Sequence, residues 1–217
     1  MNGMDDPMNR REVEVKYRLT EASDHERLRH RLAAMGAQPS PVQHEENVLF
    51  DSRSGDLRRR LSLLRVRSID GGSSGTLTFK GPPSSASGVK TREEIEVAIE
   101  DAASMQALLE ALGFEPGTSY SKQRESWYLD DLEVSLDTAS IGYFCEIEGP
   151  QSKILALGRR LELSDDQVEA AGYAELFASA KGRPGYGPPS PELVGAVEHA
   201  SRPGHVQTAA ARAVTTV

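Results

Sequence analysis

Charged and apolar residues alternate along much of the chain, and a period of two is typical of β-strands with one polar and one apolar face. Between residues 12 and 17, for example, Glu12, Glu14 and Lys16 alternate with two valines and a tyrosine. The same alternation recurs at Arg65 and Arg67; Thr78 and Lys80; Lys90, Arg92, Glu94 and Glu96; Lys122 and Arg124; Glu133, Ser135 and Asp137; Glu146 and Glu148. The pattern predicts several strands that each carry one charged face.

Turn residues and a change of period delimit the other elements. Strands are predicted at residues 12–19, 48–51, 63–69, 75–81, 89–99, 120–129, 132–137 and 143–148, with a mobile Ser/Pro/Gly loop at 82–88. Apolar residues at helical spacing predict helices that end near Gly36 and Gly113, and a third at residues 151–161. Ser164 and Gln167 resemble a capping box that opens another short helix.

The charged faces decide between two folds. On an ordinary half-buried antiparallel sheet they would point to solvent. Both signs of charge are dense on nearly every strand, which favours a sheet that closes with its charged face inward and helices over its apolar outer face. The predicted fold class is therefore α+β. Desolvated ions are costly, so the lining charges must be paired with one another, hydrated or occupied by a ligand.

Composition bounds the organisation of the chain. The 217 residues, 38% hydrophobic and 27% charged, suffice for one sizeable domain, which we place at residues 11–180. Residues 1–10 are polar and without period, and a flexible start is predicted there. Residues 181–217 are dominated by Gly, Pro, Ser and Ala, a composition typical of a disordered tail.

Charge and cysteine content restrict the partners and the compartment. The net charge of −8 argues against a protein that coats nucleic acid. The single cysteine, Cys145, excludes an internal disulfide framework and is compatible with a reducing compartment. No apolar run approaches the ~20 residues needed to span a bilayer, and a signal-peptide layout is lacking at the N-terminus. We therefore predict a cytoplasmic protein without a membrane or nucleic-acid partner.

Facing carboxylates and cations point to phosphoryl chemistry. The chain has no glycine-rich phosphate loop, and its five histidines lack metal-ligand spacing. Mg²⁺ or Mn²⁺ binds through a few carboxylates plus substrate phosphates, which fits the pairs Glu12/Glu14 and Glu146/Glu148. Arg and Lys can hold the remaining phosphate oxygens.

These residues carry a family resemblance. The sequence Glu12-Val-Glu-Val-Lys16 resembles the E-x-E-x-K signature of the CYTH superfamily, the triphosphate tunnel metalloenzymes, which include class IV adenylate cyclases, thiamine triphosphatases and inorganic triphosphatases. The resemblance continues in order through Leu64–Arg67, Leu77–Lys80, Lys90–Glu96, Lys122–Arg124, Leu136-Asp137, Phe144–Gly149 and Gly172–Leu176. It implies an eight-stranded antiparallel β-barrel that forms a triphosphate tunnel, with helices packed on its outer face.

The resemblance also implies roles for individual residues. The triphosphate would be bound by Lys16, Arg65, Arg67, Lys80, Arg92, Lys122 and Arg124. The metal, Mg²⁺ or Mn²⁺, would be held by Glu12, Glu14, Glu94, Asp137, Glu146 and Glu148. The catalytic residues would be Glu14, Lys80, Glu96 and Asp137.

The implied function is that of a metal-dependent phosphohydrolase acting on tripolyphosphate, thiamine triphosphate or a nucleoside triphosphate. Class IV adenylate cyclase is the alternative. Some cyclases carry a His-Phe pair before the first strand, where this chain has Met8-Asn9-Arg10, and this favours the hydrolase. A noncatalytic polyphosphate-binding module is a further alternative. The partner is a small-molecule triphosphate, and both a monomer and a homodimer stay open.

Overall fold

The computed structural model describes residues 11–86 and 88–180. The strands are β1 (Arg11–Leu19), β2 (Gln38–Pro39), β3 (Gln43–Ser52), β4 (Leu63–Ile69), β5 (Gly75–Lys80), β6 (Ser84–Ala86), β7 (Val89–Ile99), β8 (Phe114–Leu129), β9 (Leu132–Ala139) and β10 (Gly142–Glu148). The helices are α1 (Ala22–Ala34), α2 (Asp56–Arg59), α3 (Ala102–Ala111), α4 (Gln151–Arg160) and α5 (Tyr173–Ala180), with a 3-10 helix at Asp165–Gln167. The flexible start and the tail predicted at residues 1–10 and 181–217 lie outside the described residues.

Eight strands close into an antiparallel barrel. Their order is β1-β10-β9-β8-β3-β4-β5-β7, and β7 pairs with β1 to complete the circle. On β1, Lys16 lies opposite Glu146 of β10, and Glu12 lies opposite Arg92 of β7. The short strands β2 and β6 extend the sheet beside β8 and β7. The barrel confirms the predicted α+β fold and the eight antiparallel strands.

Helices cover much of the apolar outer face. Val15 and Tyr17 of β1 are buried in one cluster with Leu28 and Leu32 of α1 and with Ile154 of α4. A second cluster, beneath α3, contains Val48, Phe50, Val66 and Leu109. Fully burying one such apolar side chain contributes about 1.5–3 kcal/mol. Because apolar residues alternate with charged ones, this packing turns the charged positions toward the interior.

The inner face is apolar at one end of the barrel. There Leu49, Tyr120 and Phe144, from three strands, form a buried cluster with Tyr173 and Phe177 of α5. The Tyr120 ring stacks on Phe177 with centroids 5.1 Å apart and on Tyr173 with centroids 5.8 Å apart. Unlike α1, α3 and α4, helix α5 therefore packs against the inside of the barrel and covers this end of it.

Several boundaries differ from the sequence prediction. β3 begins at Gln43 and not at Val48, because pairing with β4 and β8 extends it through a polar stretch that shows no alternation. β8 begins at Phe114 and not at Tyr120. The loop predicted at 82–88 contains β6, which pairs with β7.

Two smaller features complete the description. The capping box of Ser164 and Gln167 is present and opens the 3-10 helix, as predicted. Within residues 11–86 and 88–180, no helix is long and apolar enough to cross a membrane.

Candidate functional site

The predicted site residues share the inner face of the barrel, where most of them join ion-pair networks. Asp137 of β9 lies at the centre of the largest network and is fully buried. It accepts hydrogen bonds from Lys122 Nζ at 2.8 Å, from Arg124 Nε at 2.8 Å and from the Tyr173 hydroxyl at 2.6 Å. Burial opposes ionisation, but the charges of Arg124 and Lys122 prevail and lower the pKa of Asp137 to about 2.

Glu146 of β10 extends this network toward β1. Its carboxylate lies 3.2 Å from Lys16 Nζ and also accepts a hydrogen bond from Arg124. Burial works to raise the pKa of Glu146, but Lys16 and Arg124 hold it well below the usual range. Two ammonium groups lie over the Tyr173 ring, with Lys16 Nζ 4.2 Å and Lys122 Nζ 4.4 Å from its centroid. Helix α5 thus contributes a side chain to the charged site.

Glu45 of β3 belongs to the same network and was missed from the sequence. Only 2% of the residue is exposed, and its Oε1 lies 3.0 Å from Arg67 Nη1 and 3.8 Å from Arg124 Nε. Its Oε2 lies 3.6 Å from Lys122 Nζ. Glu45 therefore holds three of the predicted triphosphate-binding cations. The signal would have been the period Gln43, Glu45, Asn47, but the predicted strand began after it.

A second group of ion pairs lies on β1, β5 and β7. Lys80 Nζ donates to Glu12 and lies 3.1 Å from Glu94, so one ammonium group bridges two predicted metal ligands. Glu14 lies 3.5 Å from Lys90 Nζ. Despite burial, the charge of Glu12 keeps the pKa of Lys80 above its ordinary value. Lys80 is therefore held in its charged form between these two carboxylates.

Arg65 and Glu96 meet through a threonine. Thr78 of β5 accepts from Arg65 Nη2 at 3.1 Å and donates to Glu96 at 2.7 Å, while Arg65 and Glu96 approach to 3.7 Å. Glu96 retains a solvent-exposed side chain, whereas Arg65 is buried. The assignment of Glu96 as a catalytic residue stays a prediction.

Arg92, predicted to bind the triphosphate, holds backbone carbonyls. Its guanidinium donates to the Gly81 carbonyl at 2.6 and 2.9 Å and to the Leu61 carbonyl at 3.3 Å. These bonds tie β7 to the segments that precede β4 and follow β5. A role for Arg92 in binding phosphate stays a prediction.

The carboxylates of Glu12 and Glu148 have the features of a cation site. Glu12 Oε2 is buried without a hydrogen-bond partner. Burial of the Glu148 carboxyl and the nearby charge of Glu12 raise the pKa of Glu148 to about 8. Glu148 also keeps solvent-exposed surface. A bound cation would satisfy both groups.

Residues 11–86 and 88–180 alone do not provide a complete metal site. Among the described residues, no three His, Cys, Asp or Glu side chains are grouped so that they could hold a metal ion. Mg²⁺ commonly binds through one or two carboxylates together with substrate phosphates and water. The carboxylates present fit that manner of binding.

Comparison with known proteins assigns the family. Residues 10–166 match the model of the CYTH domain family. The chain belongs to this family. A Methanocaldococcus jannaschii protein named "Putative adenylate cyclase MJ0240" is 31% identical over 176 residues, which cover 76% of this chain and 97% of that protein.

Solved structures share the CYTH fold. The PH1819 protein of Pyrococcus horikoshii OT3 aligns with a TM-score of 0.66 and 26% identity, over 78% of this chain and 99% of that one. A Hippeastrum protein, described as a "putative adenylyl cyclase" that reveals a dominant triphosphatase activity, aligns with a TM-score of 0.61 and 21% identity, over 80% and 97% of the two chains. At 21% identity this second likeness concerns the fold alone.

Proposed function

We propose that this CYTH protein binds a triphosphate inside its barrel and hydrolyses it with the help of Mg²⁺ or Mn²⁺. The observation that carries the proposal is the convergence of buried and half-buried cations from four strands on one interior: Lys16, Arg65, Arg67, Lys80, Lys122 and Arg124. Stability alone gives little reason to bury so many charges, because apolar residues could fill the same space. A bound polyanion, together with a divalent cation, would explain why so many charged side chains lie inside the barrel.

The residues of the barrel would act by position and charge. Phosphoryl transfer spreads negative charge over the oxygens of the transferred group, and fixed cations stabilise that charge without rearranging. Asp137 and Glu45 hold Lys122 and Arg124 in place from both sides before substrate arrives. Lys16 is fixed similarly by Glu146 and by the Ala171 carbonyl, 3.2 Å away.

Glu12 and Glu148 would hold the divalent cation, with Glu14 on the same strand as Glu12 in support. The cation would neutralise phosphate charge and help to orient the attacking water. Asp137 is a weaker candidate for a metal ligand or base, because its oxygens already accept from Lys122, Arg124 and Tyr173. Its role would be to hold cations. Among the catalytic candidates, Lys80 contacts Glu12, and Glu14 lies opposite Glu148 where β1 pairs with β10.

Adenylate cyclase is the second candidate. The M. jannaschii relative at 31% identity carries that activity in its name. In this reaction the ribose 3′-hydroxyl of ATP attacks the α-phosphate, pyrophosphate leaves, and cyclic AMP is formed. The same cations would bind the triphosphate in either reaction, so the nucleophile distinguishes the two.

Turnover assays test the proposal. The purified protein is incubated with tripolyphosphate, thiamine triphosphate or ATP, each with Mg²⁺, Mn²⁺ or EDTA, and phosphate, pyrophosphate and cyclic AMP are measured. We expect metal-dependent release of phosphate. Cyclic AMP with pyrophosphate would establish the cyclase instead. Tight binding of tripolyphosphate without any product would establish a noncatalytic binding module.

A further inference from the structure

Asn47 of β3 carries an unsatisfied hydrogen-bond donor inside the barrel. The residue is 0% exposed, and its Oδ1 accepts from Arg67 Nε at 3.1 Å. This bond fixes the orientation of the carboxamide, because a guanidinium can only donate. The side-chain nitrogen, Nδ2, points the other way and has no partner. A buried amide donor without a partner lowers stability, so a hydrogen-bond partner from outside the protein would explain why Asn47 occupies this position.

The surroundings of Asn47 indicate what would satisfy it. Its strand neighbours at inward positions are Arg67 and Arg65 on β4, and Tyr120 and Lys122 on β8. Arg65 Nε is a second buried donor without a partner. Three cations and an amide nitrogen thus surround one part of the interior. Only an acceptor group can serve these donors together, and an anionic oxygen serves them best.

A purely structural role accounts for Asn47 poorly. The next inward position on β3 is Leu49, which packs in the apolar cluster with α5. An apolar side chain is thus accommodated one step along the same face. A hydrophobic residue at 47 would avoid the unpaired donor, and an aspartate would pair with Arg67 more strongly.

We propose that Asn47 is a substrate-binding residue, whose Nδ2 donates a hydrogen bond to a phosphoryl oxygen of the bound triphosphate beside Arg65 Nε. The inference rests on the proposed function and adds a neutral donor to the cations of the site. Because this donor is neutral, Asn47 can bind an oxygen without the strong desolvation cost of another buried ion.

Binding of tripolyphosphate tests the inference. Isothermal titration calorimetry is done in EDTA, so that binding is measured without metal-dependent turnover. Asn47→Ala is expected to weaken binding by roughly tenfold to a hundredfold, as for the loss of one hydrogen bond to a charged group. Asn47→Asp is expected to weaken it more, since a carboxylate cannot donate and repels phosphate. The matched control is Gln123→Ala, which removes an exposed amide next to Lys122 in sequence and is expected to bind as the wild type does.

Melting without ligand separates binding from structure. Asn47→Asp keeps the acceptor for Arg67 and adds an ion pair, so its melting temperature is expected to equal or exceed that of the wild type. Equal affinities in wild type and both variants would overturn the inference, as would a large fall in the melting temperature of Asn47→Asp. If the wild type binds tripolyphosphate but turns nothing over with metal, the proposed hydrolase fails, and the affinities of the two variants still decide the inference about Asn47. If the wild type does not bind tripolyphosphate, both fail.

Discussion

Individual cations inside the barrel are already paired before any ligand binds. Lys122 contacts Asp137 and Glu45, and burial together with the charge of Arg124 still lowers its pKa below the ordinary value. A buried ammonium that is incompletely compensated gains when an anion arrives. In the proposed function, the carboxylates would thus fix the geometry, and the residual positive potential would stabilise the bound triphosphate.

Arg65 tests the binding role of a single cation. Its contacts run to Thr78 and to Glu96, whose side chain reaches solvent, so truncation does not leave a buried carboxylate stranded. We expect Arg65→Ala to weaken tripolyphosphate binding by roughly ten- to a hundredfold, the cost of a charged hydrogen bond of about 1.5–3 kcal/mol. Arg159→Ala, on the exposed side of α4, is the control. Equal loss in both variants would contradict a specific inner-face site.

The raised pKa of Glu148 predicts a pH dependence. A carboxyl whose pKa is about 8 in the folded state and 4.5 unfolded stabilises the fold fully below pH 4.5, and this contribution is lost as pH rises toward 8. The free energy of unfolding of the metal-free protein, from urea titrations at pH 5 and 8, should therefore fall less in Glu148→Gln than in wild type. Divalent cations require the ionised carboxylate, so their affinity should rise over the same range. A similar fall in the free energy of unfolding of both proteins would refute the raised pKa of Glu148.

At the scale of elements, the sequence predicted strands well where alternation was continuous. β7 was predicted with its observed bounds, residues 89–99, since charged and apolar positions alternate over most of its length. β3 was predicted too short, because His44 to Asn47 are all polar and only tertiary pairing makes them a strand. Glu45 and Asn47 were missed for this reason.

The pairing of charges could not be predicted either. Alternation shows that Lys80 faces inward, but its contacts with Glu12 and Glu94 depend on which strands become neighbours and in what register. The contact of α5 with the interior could not be predicted from the sequence either. Its segment was recognised by resemblance, yet nothing in its spacing indicates that Tyr173 reaches Asp137.

Tyr173 tests how strongly α5 is joined to the charged interior. Tyr173→Phe removes the hydroxyl that donates to Asp137 at 2.6 Å and retains the ring contacts with Lys16 and Lys122. We expect the free energy of unfolding in urea to fall by about 1–3 kcal/mol, the usual cost of losing a hydrogen bond to a buried charge. Tyr128→Phe, at an exposed position of β8, should change it by less than about 0.5 kcal/mol. Equal stability of the two variants would show that the hydroxyl bond is dispensable.

At the scale of the whole molecule, the barrel is complete within the described residues. Its eight strands end at Glu148, and α5, which covers the apolar end, ends at Ala180. The match to the CYTH family ends earlier still, at residue 166. The catalytic unit is therefore expected to lie before residue 181.

Truncation after Lys181 tests this expectation. Because the eight strands of the barrel and α5 all lie before residue 181, metal-dependent turnover should stay within a few-fold of the full chain, and thermal melting should stay cooperative. Kinetics of both proteins with the preferred triphosphate provide the measurement. A large loss of turnover in a truncated protein that still melts cooperatively would mean that residues 182–217 contribute to the site.

The pairing of β1 with β10 has a consequence for synthesis of the chain. Glu14 lies opposite Glu148, so β1 leaves the ribosome well before β10, the strand that pairs with one of its edges. At about 5–20 residues per second, translation of the intervening chain takes on the order of ten seconds. For that interval β1 exposes backbone donors and acceptors to other nascent chains. Closure of the barrel therefore follows translation of β10, and until then the unpaired edge of β1 favours aggregation.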